Sequence, residues 1–295
     1  MYKHLNLRPV LPADPLPLSP VPELPETETI ARDLHREIRG RSVAAVEVTR
    51  PDVLREVSPD ELPLRLTGAT VVRCWRRAKL VVLDLDSGDR LVVQPRFTGA
   101  LLLSRGPLPP NEAPYSTLRI SLEDGRDLHY RDIRRLGTVA LMSPERFEHY
   151  SGGLGVEPLD PEFSTDHLSG ILRGSRQAVK KVIMDQRLVV GIGNIYANEA
   201  CWRAGVDPSR VARSLDPTET ERLHDGIVSV LQDSIAARGT SFRDYRDASG
   251  VKGDFERSLA VYGRGGEPCP RCGARLVETH AVDGRSTVLC AHCQR

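Results

Sequence analysis

Apolar positions recur at two different periods along the chain, and the change from one to the other divides it. Ile30, Leu34 and Ile38 fall four residues apart, the spacing of one helix face, and Gly40 stands where a helix stop belongs. This predicts a helix over residues 26–39. From there to about Met142 the apolar residues come in short β runs: VAAVEV, ATVVRCW, KLVVLDL, RLVVQ, GALLL, TLRISL and GTVALM. Turn signals such as Ser87-Gly88 and Asp124-Gly125 separate them, and many short strands at this spacing predict a β-sandwich or barrel. After Ser143 helical periodicity returns, most plainly over residues 217–237, where Leu223, Ile227, Val230, Leu231 and Ile235 share a face. A glycine-containing loop over 239–253 leads into a cysteine-rich end. In front of everything, residues 1–21 carry Pro9, Pro12, Pro15, Pro17 and Pro20 without periodicity, which predicts an unstructured tail.

Composition adds limits. With 295 residues, 40% hydrophobic and 27% charged, the chain matches a soluble globular protein long enough for two ordinary domains. No apolar run approaches the ~18 residues of a membrane span. The proline-broken start cannot form a signal-peptide core, so a cytoplasmic location is expected. Five of the 41 basic residues are Lys and the rest Arg. A GC-rich genome accounts for much of that bias. Locally, however, residues 173–187 set Arg173, Arg176, Lys180, Lys181 and Arg187 against one acid, Asp185. A chain of net charge +1 can still offer one face to a polyanion.

Two motifs carry chemistry. Cys269, Cys272, Cys290 and Cys293 form C-x2-C-x17-C-x2-C, a zinc spacing. Between the pairs, residues 274–282 and 285–289 read as two strands around an Asp283-Gly284 turn. Thirty-odd residues cannot hold a core unaided, so one structural Zn²⁺ is expected to supply folding energy. Four thiolates leave that ion no open position. Cys74 and Cys201 read as buried packing residues, and His280 and His292 as surface residues. The second motif is Leu188-Val-Val-Gly-Ile-Gly-Asn-Ile-Tyr-Ala-Asn-Glu-Ala, in which Gly191 and Gly193 lead to an Asn and a helix. Exposed N–H groups at the positive end of a helix suit one phosphate. Asn194 is placed either to cap the helix or to bond the phosphate itself. Alone, the segment reads better as an ordinary glycine turn with an Asn cap; beside the 173–187 basic run, the balance moves towards nucleic acid.

Pro22-Glu-Leu-Pro-Glu-Thr-Glu-Thr29, Arg76-Arg-Ala-Lys79, the 191–199 stretch, Val261-Tyr-Gly-Arg264 and the four cysteines stand in an order that closely resembles the formamidopyrimidine-DNA glycosylase and endonuclease VIII family. The resemblance covers roughly residues 22–295, and the PELPE start favours the formamidopyrimidine branch. It implies an α+β multidomain fold: an N-terminal β-sandwich with one long helix (22–143), a helix–two-turns–helix domain (144–238), a lesion-capping loop and linker (239–260), and a β-hairpin zinc finger (261–295). It implies a monomer that binds damaged double-stranded DNA, excises 8-oxoguanine and formamidopyrimidines through a prolyl Schiff base, and cleaves the strand by β,δ-elimination. The implied roles are Pro22 as nucleophile, Glu23 as general acid, Glu26 as supporting carboxylate, and Lys79 at the sugar or a phosphate. Arg264 and Asn194 would clamp flanking phosphates, and Lys180 belongs to the DNA-facing basic run. Arg243 and Tyr245 would line the lesion loop.

Several positions depart from the family pattern. Gln94-Pro-Arg-Phe-Thr-Gly99 replaces His-Leu-Gly-Met-Ser-Gly, so Phe97 stands where Met helps fill the hole left by an extruded base. Asp132-Ile-Arg-Arg-Leu-Gly137 replaces Asp-Pro-Arg-Arg-Phe-Gly; Leu136 takes the place of a Phe wedge, while Arg134 stays to pair the orphaned base. Tyr115 stands in for a DNA-contacting His. These changes bear on lesion and opposite-base choice; an endonuclease VIII-like preference for oxidised pyrimidines is the alternative. The largest departure is covalent. Pro22 follows 21 residues, so its nitrogen is a tertiary amide whose lone pair is held in resonance and cannot form an iminium. Val21 is what a GTG start codon becomes when a reading frame is extended upstream, and translation from there would free Pro22. The expectation is that residues 1–21 are not native to the mature enzyme. With Pro22 blocked, the chain would be a damaged-DNA-binding protein without catalysis.

Overall fold

The computed structural model describes residues 22–240 and 253–295. The first helix, α1, runs Leu24–Ile38. It starts two residues ahead of the expected position 26 because Pro25 fits a first helical turn, where a missing N–H costs nothing. Glu23 N–H also donates to Glu26 Oε2 at 2.9 Å and so fixes the start. The Ile30, Leu34 and Ile38 face is fully buried.

There follow β1 (Val43–Val48), β2 (Leu54–Arg55), α2 (Glu61–Leu66), β3 (Val71–Arg77), β4 (Leu80–Leu85), β5 (Arg90–Gln94), β6 (Gly99–Ser104), β7 (Ser116–Leu122), β8 (Asp127–Asp132) and β9 (Thr138–Met142). They make two sheets, ordered β1-β7-β8-β6 and β2-β9-β5-β4-β3, in which only β2 and β9 pair in parallel. Leu83, Leu91, Val93 and Leu141 of one sheet meet Leu101, Leu118, Ile120 and Leu128 of the other, together with the α1 face. This is the sandwich core. The unbroken KLVVLDL run reflects a strand covered on both faces. Val81 and Leu83 point into the sandwich, while Leu80 and Val82 join Phe147 of α3 (Pro144–Gly152).

One central strand escapes the apolar pattern. Asp-Leu-His-Tyr-Arg-Asp predicts no strand, yet it is β8, because its polar side chains are buried with partners. His129 Nδ1 meets Ser116 Oγ at 3.0 Å, Arg131 donates to Glu112 at 2.6 Å, and Asp132 accepts from Thr98 Oγ1 at 2.5 Å.

The second half holds α4 (Thr165–Arg173), α5 (Val179–Ile183), α6 (Asn194–Ala204) and α7 (Pro217–Ala236) around Leu168, Ile195, Cys201, Leu223 and Ile227. Leu24 of α1 belongs to this second core as well, so α1 ties the two halves together. Asp216 and Glu219 close the start of α7 with reciprocal hydrogen bonds of 2.8 and 2.9 Å. The final hairpin, β10 (Val277–Thr279) and β11 (Thr287–Leu289), is shorter than the sequence suggests, pairing only from Val277↔Leu289 to Thr279↔Thr287. Asp283 (φ 58°) and Gly284 (φ 67°) both take the left-handed conformation that the tip of such a turn demands. Cys74 and Cys201 are buried, as expected. Among the described residues no helix is long and apolar enough to cross a membrane.

Candidate functional site

The site grows from the meeting of two helix starts. Leu24 N–H donates to Gly191 O at 3.0 Å, which lays the beginning of α1 against the loop that precedes α6. Gly191 has φ +80°, and a Cβ there would press on Leu24. Gln186 shapes the same loop: its Oε1 accepts Gly191 N–H at 2.8 Å and its Nε2 donates to Ile192 O at 2.9 Å.

The buried Glu23 carboxylate lies on the N-terminus of α6. It accepts N–H bonds from Gly193 at 2.7 Å, Ile195 at 3.0 Å and Tyr196 at 3.5 Å. The anion at this helix end is therefore a carboxylate of the chain itself, not the phosphate the glycine motif suggested. Burial pushes the Glu23 carboxyl above the usual range, while the Lys79 charge and the three N–H donors pull the other way. Pro22, also buried, immediately precedes it.

Glu26, one helical turn on, is 2% exposed. Besides Glu23 N–H it accepts Tyr196 Oη–H at 2.5 Å and Thr240 N–H at 2.7 Å. Burial pushes it up to about 7, against those hydrogen bonds and with the help of the Glu23 charge. Tyr196 Oη also meets Ser234 Oγ at 2.6 Å, so α1, α6 and α7 converge on this carboxyl.

Lys79 enters from the β3–β4 turn. Ala78, at φ 53°, turns the chain, and Glu157 clamps it by accepting Ala78 N–H at 2.7 Å. Glu157 also pairs with Arg76 at 2.6 Å and Arg77 at 2.9 Å. The Lys79 ammonium lies 2.6 Å from where a Cβ on Gly193 would be, and the Glu23 carboxylate meets that point from the other side. Gly193 is thus glycine because two charged side chains approach its backbone. Burial and the Arg285 charge lower the Lys79 pKa, while Glu23 and Glu26 raise it. Lys79, Lys180, Lys181, Arg187 and Arg285 line one cleft of about 430 Å³, together with Asp185 and Asp283.

One alternative is settled here, and two further residues show partners that the sequence did not reveal. Lys180 is 1% exposed, and its ammonium donates to Ser286 O and Thr287 Oγ1, both at 2.8 Å. It braces the hairpin from inside and also lines the cleft that holds Lys79. Asn194 is not the helix cap, a place taken by Gly193; its Nδ2 donates to Ser286 O at 3.1 Å. The Arg264 guanidinium turns onto its own loop, donating to Glu267 at 2.8 Å and Ala260 O at 3.0 Å, and does not line the cleft. Arg285, overlooked in the sequence, does. Its signal was its place beside the Asp283-Gly284 turn, which carries it to the hairpin tip. Glu199 was likewise overlooked: buried, it accepts the N–H groups of Ala260, Val261 and Tyr262 at 2.8–2.9 Å and anchors the Val261–Arg264 motif to α6.

Two loops project at one end of the sandwich. Residues 95–98 join β5 to β6, and 133–137 join β8 to β9. The Arg134 guanidinium carbon is 5.7 Å from the Phe97 ring centroid, and Leu136 is 46% exposed beside them. Tyr115, 40% exposed, shares a concavity with Arg50, Ile133 and Arg135. Arg243 and Tyr245 lie outside the described residues.

The Sγ atoms of Cys269, Cys272, Cys290 and Cys293 all lie within 4.8 Å of one another, and Cys272 and Cys290 are 3.5 Å apart. Four thiolates at about 2.3 Å from one tetrahedral Zn²⁺ would stand about 3.8 Å apart, so the set fits one structural zinc.

Residues 21–139 match the formamidopyrimidine-DNA glycosylase N-terminal domain, 154–246 the formamidopyrimidine-DNA glycosylase H2TH domain, and 266–295 the zinc finger found in FPG and IleRS. The formamidopyrimidine-DNA glycosylase of Moorella thermoacetica is 44% identical over 87% of this chain and 93% of its own length. That of Carboxydothermus hydrogenoformans is 39% identical over 93% of this chain and all of its own. Among solved structures, Lactococcus lactis Fpg in complex with DNA containing an abasic site superposes with a TM-score of 0.85 at 32% identity, covering 92% of this chain and 99% of that one. The MutM (Fpg) protein of Thermus thermophilus gives 0.81 at 34%, covering 92% and 98%.

Proposed function

This chain belongs to the formamidopyrimidine-DNA glycosylase family, and from that membership we propose that it excises oxidised purines, 8-oxoguanine and formamidopyrimidines, from duplex DNA and then cleaves the strand by β,δ-elimination. The damaged duplex lies in the cleft walled by Lys79, Lys181, Arg187 and Arg285, and the protein acts as a monomer. Residues 22–143 carry the nucleophile, 144–238 and 261–295 grip the backbone, and 239–260 covers the lesion.

The observation that carries the reading is the Glu23 carboxyl, buried next to Pro22 and held by three backbone N–H groups. With residues 1–21 gone, the Pro22 nitrogen is a secondary amine. It bonds to the sugar C1′ as the C1′–base bond breaks; the bond pair leaves with the base, and the proton lost by nitrogen neutralises it. The ring C1′–O4′ bond then opens, its pair going to O4′, and Glu23 delivers a proton there. A carboxyl raised by burial stays protonated at higher pH and suits this work. The result is an iminium, an electron sink that acidifies C2′–H. Loss of that proton expels the 3′ phosphate, and a second elimination expels the 5′ phosphate. Lys79 supplies positive charge beside the sugar, and Glu26 fixes the backbone of Glu23. Arg264 and Asn194 clamp the flanking phosphates, Arg285 adds positive charge from the hairpin tip, and Arg134 pairs the base left behind. The structural zinc holds the hairpin that carries Arg285.

Borohydride trapping on a duplex with 8-oxoguanine opposite cytosine tests this. Protein begun with Met in place of Val21, its Met removed, is expected to form a covalent adduct; protein begun at Met1 and retaining residues 1–21 is expected to form none. A short form that binds an abasic site tightly yet never traps would overturn the lyase reading in favour of DNA binding without catalysis.

A further inference from the structure

The loops at 95–98 and 133–137 are one rigid platform. Thr98 Oγ1 donates to Asp132 Oδ1 at 2.5 Å and accepts Arg134 N–H at 2.9 Å; Asp132 Oδ2 accepts Gly137 N–H at 2.9 Å. Tyr130 Oη–H spans from Asp132 Oδ2 at 3.2 Å to Pro95 O at 3.4 Å. Thr98 and Asp132 are 4% and 1% exposed, so these bonds are dry and the backbones of both loops are fixed relative to each other. Above the platform Arg134 and Leu136 are exposed and Phe97 is half-buried. The Arg134 guanidinium lies over the Phe97 ring, 5.7 Å from its centroid. Among the described residues no carboxylate pairs with it and no acceptor takes its N–H groups.

From this geometry we propose that Phe97 is the specificity-determining partner of Arg134. The ring face holds the guanidinium plane, and the unpaired N–H groups are presented edge-on to the base opposite an extruded nucleotide. The inference rests on the DNA-repair reading above. A guanidinium has donors only. Held in one plane, it favours a base edge with two adjacent acceptors over an edge that mixes donor and acceptor. A flexible Arg would blur that difference, because it can swing to whichever acceptor is present. A Leu or Met at position 97 fills the same volume without a quadrupole to hold the cation.

The test is equilibrium binding to duplexes with a tetrahydrofuran abasic-site analogue opposite C, A, G or T, using the wild-type chain and its Phe97→Leu, Phe97→Tyr, Arg134→Ala and Phe97→Leu/Arg134→Ala variants. Wild type is expected to separate the four bases, with cytosine, whose O2 and N3 are adjacent acceptors, bound most tightly. Phe97→Leu should narrow the spread about two- to fivefold, the worth of one exposed cation–π contact. Phe97→Tyr should restore it. Arg134→Ala should abolish it, and adding Phe97→Leu in that background should then leave it unchanged. Equal loss for all four bases in Phe97→Leu, independent effects in the double variant, or no spread in wild type would each overturn the inference. The binding assay needs no chemistry. A wild-type protein that separates the bases but fails borohydride trapping sinks the catalytic reading alone, and one that traps but binds all four bases equally sinks this inference alone.

Discussion

Gly193 N–H donates to the Glu23 carboxylate at 2.7 Å, across 170 residues of chain. That bond places a buried acid on the positive end of α6 and leaves no room for a side chain at 193. Gly193→Ala is therefore expected to push the carboxylate and Lys79 apart without unfolding the protein. Misplacing a reacting group by about 1 Å costs on the order of a hundredfold. Single-turnover excision of 8-oxoguanine should fall by that order, with thermal unfolding little changed. Wild-type rates from the variant would detach Glu23 from catalysis.

Glu26 ties stability to pH. Its carboxyl is raised to about 7 in the folded chain and lies near 4.5 when free. A group raised on folding stabilises the protonated fold fully below its free value, and that stabilisation is lost as pH rises through the folded value. Glu23 and Tyr196 face it from α1 and α6, Lys79 acts on it from the β3–β4 turn, and Thr240 follows α7. Replacing Glu26 with Gln removes this titration. Between pH 4.5 and 8, wild type should lose up to about 3 kcal/mol relative to Glu26→Gln, read from urea unfolding at each pH. A constant difference between the two proteins would show that Glu26 does not titrate in this window.

The apolar pattern carried most of the fold because a sandwich strand facing a core must repeat every second residue, and α1 every fourth. The residues β8 buries are polar and became visible only with their partners, which come from elsewhere: Glu112 for Arg131, Thr98 for Asp132. The site divides in the same way. Pro22, Glu23 and the four cysteines are legible because they are local motifs. The bracing role of Lys180 was not legible because a basic run shows charge but not burial, and its partners Ser286 and Thr287 are more than 100 residues away. The place of Arg285 on the cleft could be seen only once the hairpin was closed.

The bracing role of Lys180 can be measured against the exposed charge of Arg285. Lys180→Met keeps the bulk and removes a buried ammonium, leaving Ser286 O and Thr287 Oγ1 without their donor. It should cost about 1–3 kcal/mol of stability. Its effect on the salt dependence of DNA binding should be near zero. Arg285→Ala, at the exposed hairpin tip, should do the reverse: stability is kept, and the slope of log affinity against log salt falls by about one. Isothermal binding between 50 and 200 mM salt separates them, and a reduced slope for Lys180→Met would show that its charge acts on DNA from the cleft wall.

Glu157 makes the last case, because its effect should pass through Lys79 without touching DNA. It neutralises Arg76 and Arg77, whose side chains are 8% and 19% exposed, and holds the Ala78 N–H that sets the turn. Removing Glu157 leaves Arg77 without a carboxylate while Arg76 keeps Glu28 at 2.9 Å, so the cost should lie at the low end of the about 3–5 kcal/mol of a broken buried pair. Glu157→Ala should therefore unfold at markedly lower urea concentration. Glu157→Gln keeps the Ala78 acceptor but not the charge; it should recover part of the stability and, with Lys79 in place, most of the excision rate. The diagnostic comparison is therefore Glu157→Gln against Lys79→Ala. If the Gln variant is as stable as expected but as slow as the Lys79 variant, the charge of Glu157, and not its grip on the turn, governs Lys79.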